Sequence, residues 1–235
     1  MTINNLKVFE FDQVSSTFSV AKELIKQHEK GVVIANSQTC GRGKGKRKFV
    51  SNDGGLYFTI FYKNLNISPS FALKSVINAG LSVYEVLVSL GFNAKLKWPN
   101  DVLINGKKVC GILSETFICG DKTDFMCGVG INVNSTCFNE FDDVATSLFL
   151  QSGKKLDINE FAKTVISTVD KNLFDGSDKQ SQFFNASKMM KKTVFVEDAN
   201  ESYLVEINGL SQDGFLCGLR DGVQTKIICG DVKEV

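Results

Sequence analysis

The chain changes character near residue 190, and this change limits the folds that it can adopt. Up to that point, short apolar runs typical of strands alternate with segments of helical periodicity. Beyond it helical periodicity stops, and short β-type runs alternate with turns at residues 193–196, 203–207, 215–219 and 224–228. The sequence therefore predicts a mixed α and β protein, with residues 1–187 as a first domain and residues 188–235 as a small β domain.

Helix and strand signals in the first domain are local. Helices are predicted after Ser15-Ser16-Thr17, with Gly31 as the stop, over residues 71–90, and from the capping box at Asp157 to residue 173. Strands are predicted at residues 32–35, 56–62, 94–98 and 126–133. Asn105-Gly106 separates two further apolar runs and predicts a hairpin with a type I′ turn.

Composition excludes several classes of protein. Lys and Arg number 27 against 26 Asp and Glu, so no overall positive field attracts nucleic acid. The seven cysteines lack Cys-x-x-Cys spacing, which indicates reduced thiols in the cytoplasm and neither a disulfide framework nor a zinc site. No signal-type N-terminus is apparent, and no run reaches the eighteen apolar residues of a membrane span, so we expect no membrane association.

Against this neutral background, residues 41–49, here called the basic loop, contain five cations and three glycines. Glycine allows positive φ and leaves backbone N–H groups accessible, so the loop is typical of a cradle for phosphate or carboxylate. A solvated basic surface loop or a nucleic-acid patch is the alternative that the loop alone leaves open.

Four further segments accompany the basic loop in a fixed order, and together they resemble the biotin–protein ligase family. They are Ser15-Ser16-Thr17, Lys97-Trp98-Pro99-Asn100-Asp101, Lys107-Lys108-Val109-Cys110-Gly111-Ile112-Leu113 and Gly128-Val129-Gly130-Ile131-Asn132-Val133-Asn134. Lys-Trp-Pro-Asn-Asp is the most specific of them. The resemblance extends through Ala145-Thr146-Ser147-Leu148 into the β-rich tail, and so covers nearly the whole chain.

This resemblance implies an α+β fold, with a mixed sheet flanked by helices, related to class II aminoacyl-tRNA synthetases, and a C-terminal SH3-like barrel. It implies that ATP, with Mg²⁺, converts biotin to biotinyl-5′-AMP. The lysine of a biotin carboxyl carrier domain then attacks the acyl carbon and expels AMP. Whether the protein is a monomer or a homodimer stays open.

Site residues follow from the resemblance, position by position. Arg42 and Lys108 match the catalytic cations that neutralise the reacting carboxylate and phosphate. The biotin-binding positions are Ser16, Thr17, Gln38, Gly41, Arg42, Trp98, Lys108 and Gly111. The nucleotide positions are Arg42, Gly43, Lys44, Phe49, Asn100 and Asn132, and Asp101 is the candidate Mg²⁺ ligand.

Several of these residues have structural explanations that the sequence leaves open. Ser16 and Thr17 suit a helix N-cap, and Asp101 suits the start of a turn. Trp98 could fill core, and Gly111 could serve tight strand packing.

The chain also departs from the family pattern in the basic loop. Gly45-Lys46 stand where a variable residue and a glycine are usual, and Phe49 stands in place of a tryptophan. The alternatives are a lipoate–protein ligase, although its Arg-Arg-x-Ser-Gly-Gly-Gly motif is not found, and a non-catalytic nucleotide-binding module. The family landmarks begin at Ser15, so we expect no sequence-specific DNA binding.

Overall fold

A computed structural model describes residues 2–43, 45, 47–68, 70–198, 201–228 and 230–235. In this part of the chain, the N-terminal strands form one mixed sheet of eight strands in the order β1-β2-β3-β4-β8-β7-β6-β5. Among the described strands of this sheet, β2 and β3 are parallel neighbours and the other neighbouring pairs are antiparallel. The strands are β1 (Thr2–Ile3), β2 (Leu6–Val14), β3 (Lys30–Gln38), β4 (Leu56–Leu65), β5 (Ala94–Lys97), β6 (Asp101–Ile104), β7 (Lys107–Cys119) and β8 (Lys122–Ile131).

Helices cover both faces of this sheet. Helix α1 (Thr17–Leu24) connects the parallel pair β2 and β3, and it lies against β3, β4 and β8. Helices α2 (Phe71–Ser89) and α4 (Ile158–Leu173) pack on each other, and α2 also contacts β5, β6 and β7. The short helices α3 (Leu148–Ser152) and α5 (Gln180–Ser187) and a 3₁₀ turn (Asn139–Phe141) complete the layer structure.

Successive residues of a strand point to opposite faces of the eight-stranded sheet and belong to different cores. Val32 belongs to the large core beneath α2 and α4, whereas the adjacent Val33 belongs to the smaller core beneath α1. Ile60 and Phe61 divide in the same way on β4. This period of two is what a sheet buried on both sides requires. The mixed α+β architecture is therefore confirmed.

A second, antiparallel sheet follows at the C-terminus. Its five strands in the described residues run in the order β12-β11-β10-β9-β13. They are β9 (Thr193–Glu197), β10 (Ser202–Leu210), β11 (Leu216–Arg220), β12 (Val223–Ile227) and β13 (Asp231–Glu234). Apolar residues of this sheet, such as Val194 and Ile207, join the same contiguous core as α2 and α4. The division into domains at residues 187 and 188 stays a prediction.

Local signals in the sequence are mostly confirmed. Asn105 and Gly106 have φ of 50° and 79°, as a type I′ turn between β6 and β7 requires. The Asp157 carboxylate accepts hydrogen bonds from the N–H groups of Asn159 and Glu160, which caps α4.

One expectation was wrong. Gly31 does not end α1; it lies in β3, where a Cβ atom would stand 2.7 Å from the Phe61 ring, so close packing explains the glycine.

Helix α2 is the one helix of the described residues that is long and apolar enough to cross a membrane, by length and composition. Most of this helix is buried inside the protein, which accounts for its apolar residues.

Candidate active site

A cavity of about 430 Å³ opens on the face of the sheet that carries α1. It lies near the carboxyl ends of β2 and β3, where Ser16 and Thr17 follow one strand and Gln38 ends the other. These segments meet because Val14 and Gln38 are partners in the parallel register. The structure brings most of the predicted site residues to its wall: Ser16, Thr17, Gln38, Arg42, Gly43, Phe49, Asn100, Asp101, Lys108, Gly111 and Asn132.

Gln38 organises the polar end of the cavity. Its Oε1 atom accepts hydrogen bonds from Thr17 N and Thr17 Oγ1, at 2.8 and 3.2 Å. Its Nε2 atom donates to Ser51 Oγ at 2.8 Å. Thr59 Oγ1 donates to Thr17 Oγ1 at 2.9 Å, and Ser16 Oγ caps α1 by accepting from Phe18 N. The helix-cap interpretation of Ser16 is thus confirmed, and its position in the cavity wall leaves a binding role compatible with it.

Arg42 lies at the rim of the cavity between two partners. Its Nη2 atom is 2.8 Å from Glu115 Oε1, and its guanidinium lies 5.0 Å from the centre of the Phe18 ring. The Arg42 side chain keeps 43% of its surface exposed. The planar group can therefore keep its carboxylate partner and still donate to an anion in the cavity, because a guanidinium carries five N–H donors.

Lys108 lies opposite, on β7. Its Nζ atom is 2.7 Å from Asp101 Oδ1 and 5.6 Å from the centre of the Phe49 ring. The backbone of Lys108 is fixed by hydrogen bonds with Val144 O and Thr146 N, both 2.8 Å. The neighbouring Lys107 points elsewhere, because its Nζ donates to Asp142 O.

The described residues at the two ends of the basic loop pair with each other. Arg42 and Lys48 form a bridge, Gly43 N–H donates to Arg47 O, and Phe49 N–H donates to Gly41 O. The predicted cradle of free N–H groups is therefore not formed at Gly43, whose N–H is used within the loop. Lys44 and Lys46 lie outside the described residues.

Arg47 connects the loop to the C-terminal sheet. Its Nη2 atom is 2.5 Å from Asp231 Oδ2 on β13. This hydrogen bond and the negative charge of Asp231 raise the pKa of Arg47 above its ordinary value.

The Phe49 ring lies over two glycines that are paired on neighbouring strands. Gly111 on β7 and Gly130 on β8 are register partners, and we call them the glycine pair. A Cβ atom at Gly111 would stand 2.9 Å from the Phe49 ring, and one at Gly130 would stand 2.8 Å from it. The surface at Gly111, expected to meet biotin, is thus in contact with Phe49.

Two asparagine side chains line the opposite wall. Asn100 Nδ2 donates to Ile112 O at 3.1 Å, and Asn132 Nδ2 donates to Thr146 O at 3.0 Å. Asn132 Oδ1 is buried and has no hydrogen-bond partner among the described residues. A buried acceptor without a partner is costly, so this oxygen is a candidate for contact with a donor group of a ligand.

Trp98 and Gly41 are not among the described residues that line the cavity. Trp98 is 3% exposed, and its Nε1–H donates to Gly214 O at 2.9 Å. The core interpretation of Trp98 therefore replaces the expected wall of the biotin site. At Gly41, a Cβ atom would stand 2.3 Å from Phe49 O, so tight packing of the loop accounts for that glycine.

Other residues that line the cavity or contact its lining had no signal in the sequence. Glu115 pairs with Arg42 from 73 residues away, and Thr59 is a polar residue inside an aromatic strand. The apolar wall formed by Phe138, Phe141 and Val144 comes from an irregular segment around the 3₁₀ turn. Its apolar residues do not recur at the spacing of a helix or a strand, so no sign of this wall appears in the sequence.

Known proteins resemble this chain in sequence and in fold. Residues 9–132 match the biotin/lipoate A/B protein ligase family. The bifunctional ligase/repressor BirA of Bacillus spizizenii is 36% identical over 156 residues, which is 62% of this chain and 47% of the relative. The biotin–[acetyl-CoA-carboxylase] ligase of Paracoccus denitrificans is 38% identical over 105 residues, 43% of each chain.

Among solved structures, the biotin protein ligase from Aquifex aeolicus in complex with biotin and ATP matches with a TM-score of 0.79 and 28% identity. The match covers 97% of this chain and 99% of that one. By contrast, the chain spans about half the length of the Bacillus relative. Because the family match covers more than half of the sequence, and a ligase of the same fold matches along nearly all of it, this chain belongs to the biotin/lipoate A/B protein ligase family.

Proposed function

We propose that the protein attaches biotin, at the expense of ATP, to a lysine of a biotin carboxyl carrier domain through biotinyl-5′-AMP. The observation that carries the proposal is the meeting of Arg42 and Lys108 from separate segments at one cavity. Each cation has a carboxylate partner: Arg42 pairs with Glu115, and Lys108 pairs with Asp101. The names of the Aquifex and Paracoccus proteins supply the substrates and the kind of acceptor.

The first step brings two anions together. A carboxylate oxygen of biotin bonds to the α-phosphorus of ATP, the bond from that phosphorus to the bridging oxygen breaks, and pyrophosphate leaves with the electron pair. Lys108 and Arg42 reduce the repulsion and stabilise the charge that develops on the phosphoryl oxygens. Lys108 suits the reacting oxygen, since its compact ammonium can follow the charge, whereas the Arg42 fork suits bidentate binding.

The second step transfers the acyl group. The neutral amine of the acceptor lysine attacks the acyl carbon, the mixed anhydride bond breaks, and AMP leaves with the bonding electrons. The attacking nitrogen loses one proton, which water or the departing phosphate can accept, and keeps the other as the amide N–H. The same two cations are suited to stabilise the departing phosphate.

Recognition of biotin is assigned to the polar end of the cavity. The ureido group of biotin presents donors and acceptors on both edges, which matches the hydroxyls of Ser16 and Thr17 and the amide of Gln38. Asn132 Oδ1, buried without a partner among the described residues, is proposed to accept from the nucleotide. Lipoate lacks the ureido group, which favours biotin over the lipoate alternative.

Mg²⁺ fits this site as a companion of the nucleotide. In the described part of the chain, no group of three or more His, Cys, Asp or Glu residues could hold a metal. Asp101 is the one carboxylate among the described residues that line the cavity. Mg²⁺ is commonly bound by one or two carboxylates together with substrate phosphates, and Asp101 would be that ligand.

We also propose a cytoplasmic location. The described cysteines, Cys40, Cys110, Cys119, Cys127, Cys137 and Cys217, are free thiols. Cys229 lies outside the described residues. Free thiols at both buried and exposed positions fit a reducing compartment.

Transfer to an acceptor tests the proposal. Purified protein, ATP and Mg²⁺ are mixed with an unbiotinylated carrier domain from acetyl-CoA carboxylase and with either biotin or lipoate, and the intact mass of the domain is measured. One biotin is expected to be added, and none to a carrier whose target lysine is replaced by arginine. An unchanged mass with wild-type carrier would contradict the proposed acceptor, whereas lipoate addition alone would support the alternative.

A further inference from the structure

We propose that Ser51 is a positioning residue: its hydroxyl fixes the orientation of the Gln38 amide, so that one amide N–H of Gln38 is presented to the cavity. Ser51 is 3% exposed and is not among the described residues that line the cavity, so it acts through Gln38. The proposal concerns the arrangement of protein groups. Its consequence, selection of a cyclic urea such as that of biotin, rests on the proposed function.

The backbone places Ser51 beside Gln38. The two residues form an isolated antiparallel bridge, and Gln38 N–H donates to Ser51 O at 2.9 Å. The segment that leads into β4 therefore passes next to the last residue of β3. This pairing brings Ser51 Oγ within 2.8 Å of Gln38 Nε2.

One end of this hydrogen-bonded chain is a group that can only accept. Ser51 Oγ lies 2.9 Å from Phe49 O, and a backbone carbonyl has no proton, so the serine hydroxyl must donate to it. A hydroxyl has one proton, so Ser51 Oγ can then only accept from Gln38. The amide group that faces Ser51 must therefore be the NH₂ group of Gln38.

The other end is a group that can only donate. Thr17 N–H lies 2.8 Å from Gln38 Oε1, and a backbone N–H needs an oxygen opposite it. Two separate contacts thus require the same orientation of the amide. The Thr17 hydroxyl donates to the same oxygen at 3.2 Å and accepts from Thr59 Oγ1 at 2.9 Å. The chain of hydrogen bonds therefore has one direction, from Thr59 to Phe49 O.

Two adjacent groups remain available to a ligand once these bonds are counted. Gln38 Nε2 carries two protons, and one of them has no partner among the described residues. Thr17 Oγ1 has two lone pairs, of which Thr59 uses one. The cavity wall thus offers a donor next to an acceptor. A cyclic urea presents the complementary pair, a carbonyl oxygen next to an N–H.

Ser51 supplies the restraint on this donor. Without its hydroxyl, the inner N–H of Gln38 and the carbonyl of Phe49 both lose a partner, which is unfavourable away from water. The last torsion of a glutamine side chain has broad energy wells. The amide is therefore expected to rotate more freely in the absence of Ser51 Oγ, and to present its outer N–H less consistently.

NMR relaxation of the Gln38 side-chain amide measures this restraint without any ligand. In ¹⁵N-labelled wild-type protein, the order parameter of Nε2 is expected to be about 0.8, as in rigid backbone, and in Ser51→Ala to fall below about 0.6. Gln38→Ala identifies the signal by removing it. A low order parameter in the wild type would overturn the proposal, even if Ser51→Ala fails to fold.

Ser37→Ala is the matched control. Ser37 precedes Gln38 on β3 and is also buried, but its hydroxyl contacts Gln13 and Asp12 O. This variant is expected to keep the wild-type order parameter at Gln38. An equal loss in both serine variants would overturn the proposal, because the effect would belong to β3 as a whole. The melting temperature is measured alongside, since a purely structural serine would lower it without loosening Gln38.

Biotin affinity, measured by calorimetry, tests the consequence. Ser51→Ala is expected to weaken biotin binding about tenfold, and Gln38→Ala at least as much. Because Ser51 is proposed to act through Gln38, the double variant should bind no more weakly than Gln38→Ala. Additive losses of affinity in the double variant would contradict the positioning role.

2-Iminobiotin tests which group Gln38 presents. At neutral pH a guanidinium replaces the urea in this analogue, so a donor stands where the carbonyl oxygen was. Wild-type protein is expected to bind it about 100-fold more weakly than biotin, because the Gln38 N–H then faces another donor. Gln38→Glu supplies an acceptor instead and should prefer the analogue. Equal binding of the two compounds by wild-type protein would overturn the assignment of the donor.

Failure of the proposed function gives a different pattern. If wild-type protein binds neither biotin nor its analogue, the proposed function and the consequence drawn from it fail together. The role of Ser51 is then decided by the order parameters alone, because that measurement needs no ligand.

Discussion

The Nζ atom of Lys108 lies 2.7 Å from the Oδ1 atom of Asp101, and both side chains line the same cavity. The ammonium is thus placed at the site before any substrate arrives. Prior placement matters, because a charge that is already oriented costs little reorganisation when the reaction occurs.

Replacement of Lys108 tests its catalytic role. Lys108→Ala is expected to lower biotin-dependent pyrophosphate exchange by about 100-fold or more, because the charge nearest the reacting oxygens is lost. Lys107→Ala is the control, since that neighbour donates to Asp142 O. Wild-type exchange in Lys108→Ala would remove this residue from the reaction.

Asp101→Asn tests the metal assignment while keeping the shape of the side chain. The Mg²⁺ concentration that gives half-maximal exchange is expected to rise roughly tenfold, because a charged ligand is lost. Asp121→Asn, in the exposed turn between β7 and β8, is the charge-matched control. A lower maximal rate with an unchanged Mg²⁺ requirement would mean that Asp101 serves Lys108 alone.

Arg42 is expected to retain the intermediate. In Arg42→Gly, release of biotinyl-5′-AMP should rise at least tenfold, because charge-assisted hydrogen bonds to the ligand disappear. Free adenylate would then biotinylate bystander lysines of an added protein such as albumin, detected with streptavidin. Arg220→Ala, which breaks another arginine pair on the C-terminal sheet, should not do so. Equal bystander labelling by the two variants would refute the role of Arg42.

Trp98 is predicted to act on stability and not on biotin binding. Trp98→Phe removes the donor to Gly214 O and leaves a buried carbonyl without its partner, at a cost of about 1–3 kcal/mol. The melting temperature should fall by several degrees, while the KM for biotin should stay within about twofold. A raised KM at an unchanged melting temperature would restore the cavity-wall interpretation.

The buried thiols give a pH-dependent prediction. Burial raises the pKa of Cys127 to about 12, and burial likewise raises the pKa of Cys110 well above its ordinary value. Both therefore stay protonated between pH 7 and pH 9, and iodoacetamide should not label them in the folded protein. Cys40 and Cys137 should react, because they are exposed.

The same shifts affect stability at alkaline pH. Well below about pH 8.5, the ordinary pKa of a cysteine thiol, both thiols are protonated in the folded and unfolded chains, so their contribution to stability is constant. Above that pH the unfolded chain loses these protons and the folded protein keeps them, so the free energy of unfolding falls as pH rises. Replacement of Cys127 by alanine should make this decline less steep, as measured by urea unfolding between pH 8 and pH 10. An unchanged slope would contradict the pKa assignment.

Local sequence signals predicted the elements whose conformation is decided locally. The turn at Asn105-Gly106 and the cap at Asp157 need only their own residues and the next few. Strand β2 was missed because it is largely exposed, with Leu6 as its buried residue, so its apolar positions show no period. Strand β13 was missed because its sequence, Asp231–Glu234, is mostly charged.

The sequence predicted most of the residues that belong to the site. It did not predict which of them are in contact with each other. The partners of Arg42 and Lys108 depend on which strands are neighbours, and the position of Phe49 depends on the register of Gly111 with Gly130. Trp98 lay in the most specific motif, yet its environment is set by Gly214, 116 residues further along the chain. Such contacts follow from tertiary packing, which a single sequence does not display.

Exchange of labelled pyrophosphate into ATP isolates the adenylation of biotin from its transfer to the acceptor. Purified protein with Mg²⁺ and ATP is compared in the presence of biotin, of lipoate, and of neither acid. Exchange is expected with biotin, and background with lipoate or without acid, because the adenylation step is reversible and needs the carboxylate. Exchange with lipoate and not with biotin, or background in all three mixtures, would rule out biotin adenylation by this protein.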